Sequence, residues 1–406
     1  ARYGYLLVWV VVLGNVMAWL IQYLSAKLGI VTGRSLPETL GHRIGNRWGR
    51  RAYWLQAELV AMATDIAEVI GGAVALNLLF GVPLLWGGAI TGAVSIALLL
   101  IQSRRGPRTF EFVVIGLLAI IAIGFSFGVF VAPPDGASVV AGLVPRFEGT
   151  DSVLLAASIL GATIMPHAIH PHSPLARARS APPPATAGRP PGGDRLIPRG
   201  SRAADAPIGA PADPTLAELR GIPTRRLLRA TKWDVTIAML IAGTVNLCIL
   251  LLAAANLAGV PGTDSLEGAY AALYAGLGPL VATLFAVGLL ASGLASTSVG
   301  AYAGAEIMHG LLHIRVPLLA RRLVTLIPAL AILAIGFDPT VALVLSQVVL
   351  SFGIPFALIP LVALTANREV LGGYRNRVWT TIAGIAASVF LIALNGVLLY
   401  LVLTGA

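Results

Sequence analysis

Cysteine, charge and the signatures of soluble catalysis are all scarce in this chain. A single cysteine, Cys248, excludes an intramolecular disulfide. Charged residues make up only 11% of the 406, against 57% hydrophobic residues and a mean hydropathy of +0.85, which excludes an ordinary soluble domain. There is no His-Glu-x-x-His pair for an intramembrane metalloprotease, no Walker loop and no dinucleotide fingerprint, so the chain is not expected to be an enzyme or to hold a permanent cofactor. No cleavable signal peptide is visible, because the chain opens at Ala1-Arg2-Tyr3 and enters an apolar run at once.

What is there instead is long apolar runs. Each membrane-spanning helix needs roughly 20 residues, and the pattern predicts ten, at about 4–31, 53–80, 83–102, 109–132, 152–172, 233–258, 277–311, 316–336, 340–364 and 378–402. The formal charge of +10 taken alone points to nucleic acid, but the basic residues fall in short loops between these runs, so no nucleic-acid partner is expected. Arg34, Arg43, Arg47, Arg50 and Arg51 follow the first span, Arg104, Arg105 and Arg108 the third, Arg315, Arg321 and Arg322 the seventh, and Arg368, Arg375 and Arg377 the ninth. The positive-inside rule makes those loops cytoplasmic and puts both ends of the chain outside. An all-α, polytopic protein in the lipid bilayer of a bacterial plasma membrane is the expected class. Three segments follow from composition: 1–173, an Ala, Pro, Gly and Arg-rich cytoplasmic loop at 174–232 that buries too little apolar surface to order itself, and 233–406. Within the loop's tail, residues 216–232 could form a short surface helix.

One stretch breaks the apolar monotony at the end of the fifth span. Residues 161–172 carry Pro166 and Pro171 and three of the six histidines, His167, His170 and His172. Proline removes a backbone donor and clashes with the carbonyl four residues back, so Pro166 should free carbonyls around Ala162 and Thr163. At membrane depth such carbonyls are tolerated only under protein or beside a polar cavity. A discontinuous helix offering carbonyl oxygen, thioether and imidazole at one depth is how many secondary transporters build an ion site. The competing reading is a proline-kinked helix with a packed methionine.

The second span carries the other anomaly. Glu58, Asp65 and Glu68 fall within roughly 80° of one another on a helix, with no basic residue on that helix to neutralise them. Each charge at mid-membrane costs at least ~2.5 kcal/mol, so three on one face imply an interior route, basic partners on other helices, or protonation; a buried ion-pair cluster is the structural alternative. Candidate partners are Arg321, Arg322 and Arg179. Gln347 could offer an amide oxygen to a cation. A helix-to-helix hydrogen bond is the default for Asn15, Gln22, Asn246, Asn395 and Gln347 alike. Lys27 is expected to snorkel to the headgroups, and the small-residue run at 291–300 to pack helices closely.

Taken together, LLVWVVVLGNVMAWLIQYLSAKLGIVTGRSLPE, QAELVAMATDIAE, GATIMPHAIHPHS, LLASGLASTSVG and LSQVVLSFGIPFALIP resemble the Nramp family of proton-coupled divalent metal transporters. The resemblance spans nearly the whole chain outside 174–232. It implies a LeuT-like fold of two inverted five-helix repeats, with Met165, Ala162 and Gln347 as metal ligands. It also implies a proton pathway through His167, Asp65 and Glu68, with Glu58, Arg179, Arg321 and Arg322 as salt-bridge partners. The cargo implied is Mn²⁺ or Fe²⁺, with Cd²⁺ and Co²⁺ as further candidates, moved with H⁺. The family's first helix, with its Asp-Pro-Gly-Asn motif, is not found ahead of Ala1, and His170, Pro171 and Pro174 depart from the family pattern. Hence a truncated, non-transporting metal binder is an alternative, and a cation channel a more distant one.

Overall fold

The structure is a computed structural model that describes residues 2–105, 107–165, 223–314 and 316–404. The loop predicted at 174–232 lies almost wholly outside the described residues. In chain order the helices are α1 (Val8–Thr32), α2 (Leu36–Arg43), α3 (Arg47–Phe80), α4 (Leu84–Arg105), α5 (Pro107–Val131), α6 (Gly136–Ala141) and α7 (Gly149–Ile164). After the loop come α8 (Thr224–Asn256), α9 (Leu266–Leu277), α10 (Pro279–Leu312), α11 (Leu318–Ala334), α12 (Pro339–Ala366), α13 (Arg368–Leu371) and α14 (Val378–Thr404).

Each of the ten expected spans is a helix over its described residues, the fifth as far as Ile164 with 166–172 outside them, and local chemistry sets many of the ends. The Asn46 side chain accepts from the Trp48 N–H to start α3, while Gly81 in the left-handed region ends it. Asp338 caps α12 through the Val341 N–H, with Pro339 in the first turn. The short α2 opens on a reciprocal capping box between Ser35 and Glu38. Six helices among the described residues have a stretch long and apolar enough to cross a membrane. The sixth span begins at Thr224 rather than 233, because residues 224–232 of the expected surface helix continue into it, while 216–222 lie outside the described residues.

The described helices pack around two centres. In the first, α7 lies against α12 and α1, and the buried apolar residues of α1, α7, α12 and α14 form one cluster. In the second, α3 runs along α10 and also meets α4, α11 and α12. Because α3 and α12 belong to both, they connect the two centres.

Polar residues inside the spans mostly tie helices together. Asn246 Nδ2 donates to Asn15 Oδ1 at 3.2 Å, linking α8 to α1, and Ser351 Oγ donates to Asn395 Oδ1 at 3.0 Å, linking α12 to α14. Lys27 departs from expectation. It is buried, and its Nζ donates to Asn376 Oδ1 at 2.8 Å, while Asn376 Nδ2 donates to Thr365 Oγ1 at 2.7 Å. The connection before α14 folds over the end of α1, so protein rather than headgroup meets the ammonium.

Candidate functional site

The first group of candidate residues sits at the end of α7. Its last hydrogen bond runs from the Met165 N–H to the Gly161 carbonyl at 3.2 Å. Met165 then turns left-handed, at φ 46° and ψ 81°, one of two non-glycine residues with positive φ among the described residues. Two features of the sequence produce this break. A residue ahead of proline is disfavoured in the right-handed helical region, and Pro166 has no N–H to offer the Ala162 carbonyl four residues earlier. Holding a side-chain-bearing residue left-handed costs about 1–2 kcal/mol, and such strain tends to mark a site. The Met165 side chain is 37% exposed.

Close packing brings the other two candidates to the same place. A Cβ built on Gly161 would collide with the Gln347 carbonyl oxygen of α12, so the helices cross backbone to backbone one residue before Ala162. Gln347 is half-buried. Asn15, Asn246 and Asn395 each make a side-chain hydrogen bond to another helix, whereas among the described residues none is found for the Gln347 or Gln22 side chain. Thr163 turns its hydroxyl back to the Ile159 carbonyl at 2.7 Å and so is committed to its own helix. The described residues contain no group of three or more His, Cys, Asp or Glu placed to hold a metal. The donors at the crossing are therefore sulfur, carbonyl and amide. His167 and Arg179 lie outside the described residues.

The second group is the acidic stripe of α3, which meets two arginines at the start of α11. Arg321 Nη1 lies 2.7 Å from Glu58 Oε1 and donates to Oε2 at 2.8 Å. Glu58 thus pairs inside the protein instead of reaching the headgroups. Arg322 Nη1 is 3.1 Å from Asp65 Oδ1, an ionic contact whose alignment leaves both atoms without a hydrogen bond among the described residues. Burial is severe, with Arg322 0% and Asp65 1% exposed. Both Glu68 oxygens are buried and unpartnered among the described residues, so three carboxyls face two guanidiniums.

Small residues of α10 make room for this cluster. A Cβ on Gly300 would stand 3.0 Å from Asp65 Oδ1 and 3.7 Å from Glu68 Oε2, and one on Gly304 would overlap the Arg321 guanidinium. The close packing expected around 291–300 therefore has a specific use. Sequence reading missed Gly304 and also Ser95 of α4, whose Oγ accepts from Arg322 Nε at 2.8 Å. A lone serine in an apolar helix was the available signal. Gly353 of α12 packs on Val60 of α3, six residues or about 9 Å along the helix from Gln347, and so joins the two groups.

Fold and site together define an integral membrane protein built like the carriers that place ion sites on interrupted helices. The particular family follows from comparison. Residues 1–401 match the Nramp family, described as natural resistance-associated macrophage protein-like, and the chain belongs to it. A protein named divalent metal cation transporter MntH from Mycobacterium tuberculosis (strain ATCC 25618 / H37Rv) is 57% identical over 405 residues, covering 100% of this chain and 86% of that protein. The protein of the same name from Bacillus subtilis (strain 168) is 44% identical over 398 residues, 97% of this chain and 84% of that one. The crystal structure of the Eremococcus coleocola manganese transporter superposes with a TM-score of 0.76 at 30% identity, over 97% of this chain and 80% of that one. The all-helical, LeuT-like architecture expected from the sequence is thus the architecture of the protein.

Proposed function

We propose that the chain imports Mn²⁺ or Fe²⁺ into the bacterial cytoplasm, coupled to the entry of protons. One observation carries the reading: α7 gives up its helical winding at Met165, one turn past the close approach of Gly161 to the Gln347 backbone, leaving the Ala162 carbonyl without a helical donor. Thioether sulfur is a soft ligand that favours transition metals over hard, strongly hydrated Mg²⁺ and Ca²⁺. Met165, Ala162 and Gln347 are the metal ligands in this reading, and no resident cofactor is called for. The names of the relatives support metal as the cargo.

Proton coupling rests on the charge count in the second group. The buried carboxyls Asp65 and Glu68 and the partly buried Glu58, against Arg321 and Arg322, leave one acid unmatched. An isolated buried charge is costly, and taking up a proton relieves it. Asp65 and Glu68, with His167, then form the path by which protons cross, while Glu58, Arg321, Arg322 and Arg179 hold its charge balance. In this scheme segments 1–173 and 233–406 supply the moving helices, and 174–232 is the cytoplasmic connection.

Reconstitution into proteoliposomes tests the proposal. Saturable Mn²⁺ uptake with acidification of the lumen is expected, and Met165→Ala should lower the preference for Cd²⁺ and Mn²⁺ over Ca²⁺. No saturable uptake would favour a metal binder that does not transport, and linear conductance without proton movement a channel.

A further inference from the structure

We infer that Ser95 is a positioning residue for proton coupling: its hydroxyl holds the Arg322 guanidinium against Asp65 from a helix that carries none of the ionic cluster. The inference rests on the coupling proposed above and adds a residue that neither the acidic stripe nor the arginine pair contains. Ser95 is completely buried. Its Oγ donates to the Gly92 carbonyl at 2.7 Å and accepts from Arg322 Nε at 2.8 Å. The proton of the hydroxyl is committed to its own helix, so a lone pair is left aimed at the arginine.

That single bond decides more than its strength suggests. A guanidinium is a rigid planar fork, and fixing Nε fixes the direction of Nη1 and Nη2. Nη1 then stands 3.1 Å from Asp65 Oδ1. Apart from Ser95, no described residue hydrogen-bonds the Arg322 side chain, whose Nη1 and Nη2 are both buried without a partner. Without Ser95 the fork would keep its ionic contact with Asp65 but lose the one hydrogen bond that sets its angle.

The surrounding charges are few enough to name. From α3 come Glu58, Asp65 and Glu68, with Glu58 held by Arg321. Besides Arg321 and Arg322, α11 contributes Thr325, which lies beside Asp65. The α4 helix carries no titratable side chain between Leu84 and Leu100. The α10 helix meets the cluster with Gly300 and Gly304, and carries Glu306 and His309 beyond them. Arg322 is accordingly the one cation that Asp65 and Glu68 share, and its orientation sets how readily they exchange protons.

The test is a set of Ser95 variants of the full chain in proteoliposomes, reading Mn²⁺ uptake and proton entry over a pH series, with Cd²⁺ affinity measured on the purified protein. For Ser95→Ala the midpoint of the uptake profile should move to higher pH by about one unit, the size of shift a displaced neighbouring cation produces. Protons entering per Mn²⁺ should fall, and Cd²⁺ affinity should hold. Ser95→Thr keeps the hydroxyl and should restore both readouts. Ser95→Cys, with a weaker acceptor, should fall between, and it carries the test if the alanine variant does not fold. Profiles and ratios that overlay wild type in Ser95→Ala or Ser95→Cys would overturn the assignment, as would a parallel loss of Cd²⁺ affinity, which marks a merely structural role. Wild-type uptake without proton entry would remove the coupling reading itself, and this assignment with it.

Discussion

Replacing Gly161 by alanine tests whether the helix crossing one turn before Met165 holds the proposed metal ligands in register. The added Cβ would collide with the Gln347 carbonyl oxygen and stand 3.0 Å from both the Gln347 carbonyl carbon and the Ser351 nitrogen. All three are backbone atoms of α12, so no side chain can swing away. Relief requires α7 and α12 to separate by on the order of 1 Å in an interior packed like a crystal. Overpacking of this kind costs about 1–3 kcal/mol, offset by at most about 1 kcal/mol from the better helix propensity of alanine. The same displacement moves Ala162 and Met165 away from Gln347, and a tenfold loss of Cd²⁺ affinity corresponds to about 1.4 kcal/mol. Gly396→Ala on α14 is the control, since nothing lies within 4 Å of its added Cβ. Titration calorimetry with Cd²⁺ and thermal unfolding in detergent should show Gly161→Ala weakened in both and Gly396→Ala in neither. Equal affinity and equal melting temperature in the two variants would refute the argument.

Three further expectations follow from single features. Met165→Ala and Met165→Gly should both lose transition-metal selectivity, but only glycine relieves the positive φ; its melting temperature should exceed that of the alanine variant by the equivalent of about 1 kcal/mol. Glu58→Gln leaves Arg321 buried without its partner, a change that costs about 3–5 kcal/mol. Glu58→Gln with Arg321→Gln should recover much of that stability in a double-mutant cycle, whereas additive losses would mean that the pair does not interact. At the start of α6, hydrogen bonds from Ser138 hold the Asp135 carboxyl below its ordinary range. The cap is therefore fully present above about pH 3.9 and lost as pH falls through the lower folded value. Hydrogen exchange in α6 should quicken there, and Asp135→Asn should remove that pH dependence.

Much of the fold was legible because membrane helices announce themselves by length and apolarity. The ten runs became helices over their described residues, but several arginines read as loop residues lie in helices: Arg47, Arg50 and Arg51 open α3, and Arg321 and Arg322 are buried in α11, where the carboxylates of α3 receive them. The break at Met165 was legible too, since a proline without an N–H acts on its own helix. Lys27 was misread for the opposite reason: a lysine near the end of an apolar run normally reaches water, and only the fold brings Asn376 over it.

The candidate site divides along the same line. Sequence alone determined that Glu58, Asp65 and Glu68 share one helical face and that Ala162 loses its hydrogen-bond donor, because both are consequences of one helix's geometry. Only tertiary structure decided that Glu58 takes Arg321 and Asp65 takes Arg322, that Glu68 is left over, and that Gly161 admits Gln347. Those outcomes depend on which helices touch and at what depth, and close approach is governed by backbone atoms and glycines whose partners lie far away in the chain, as Val60 does from Gly353. Periodicity can show that a helix has a face, but packing selects what that face meets.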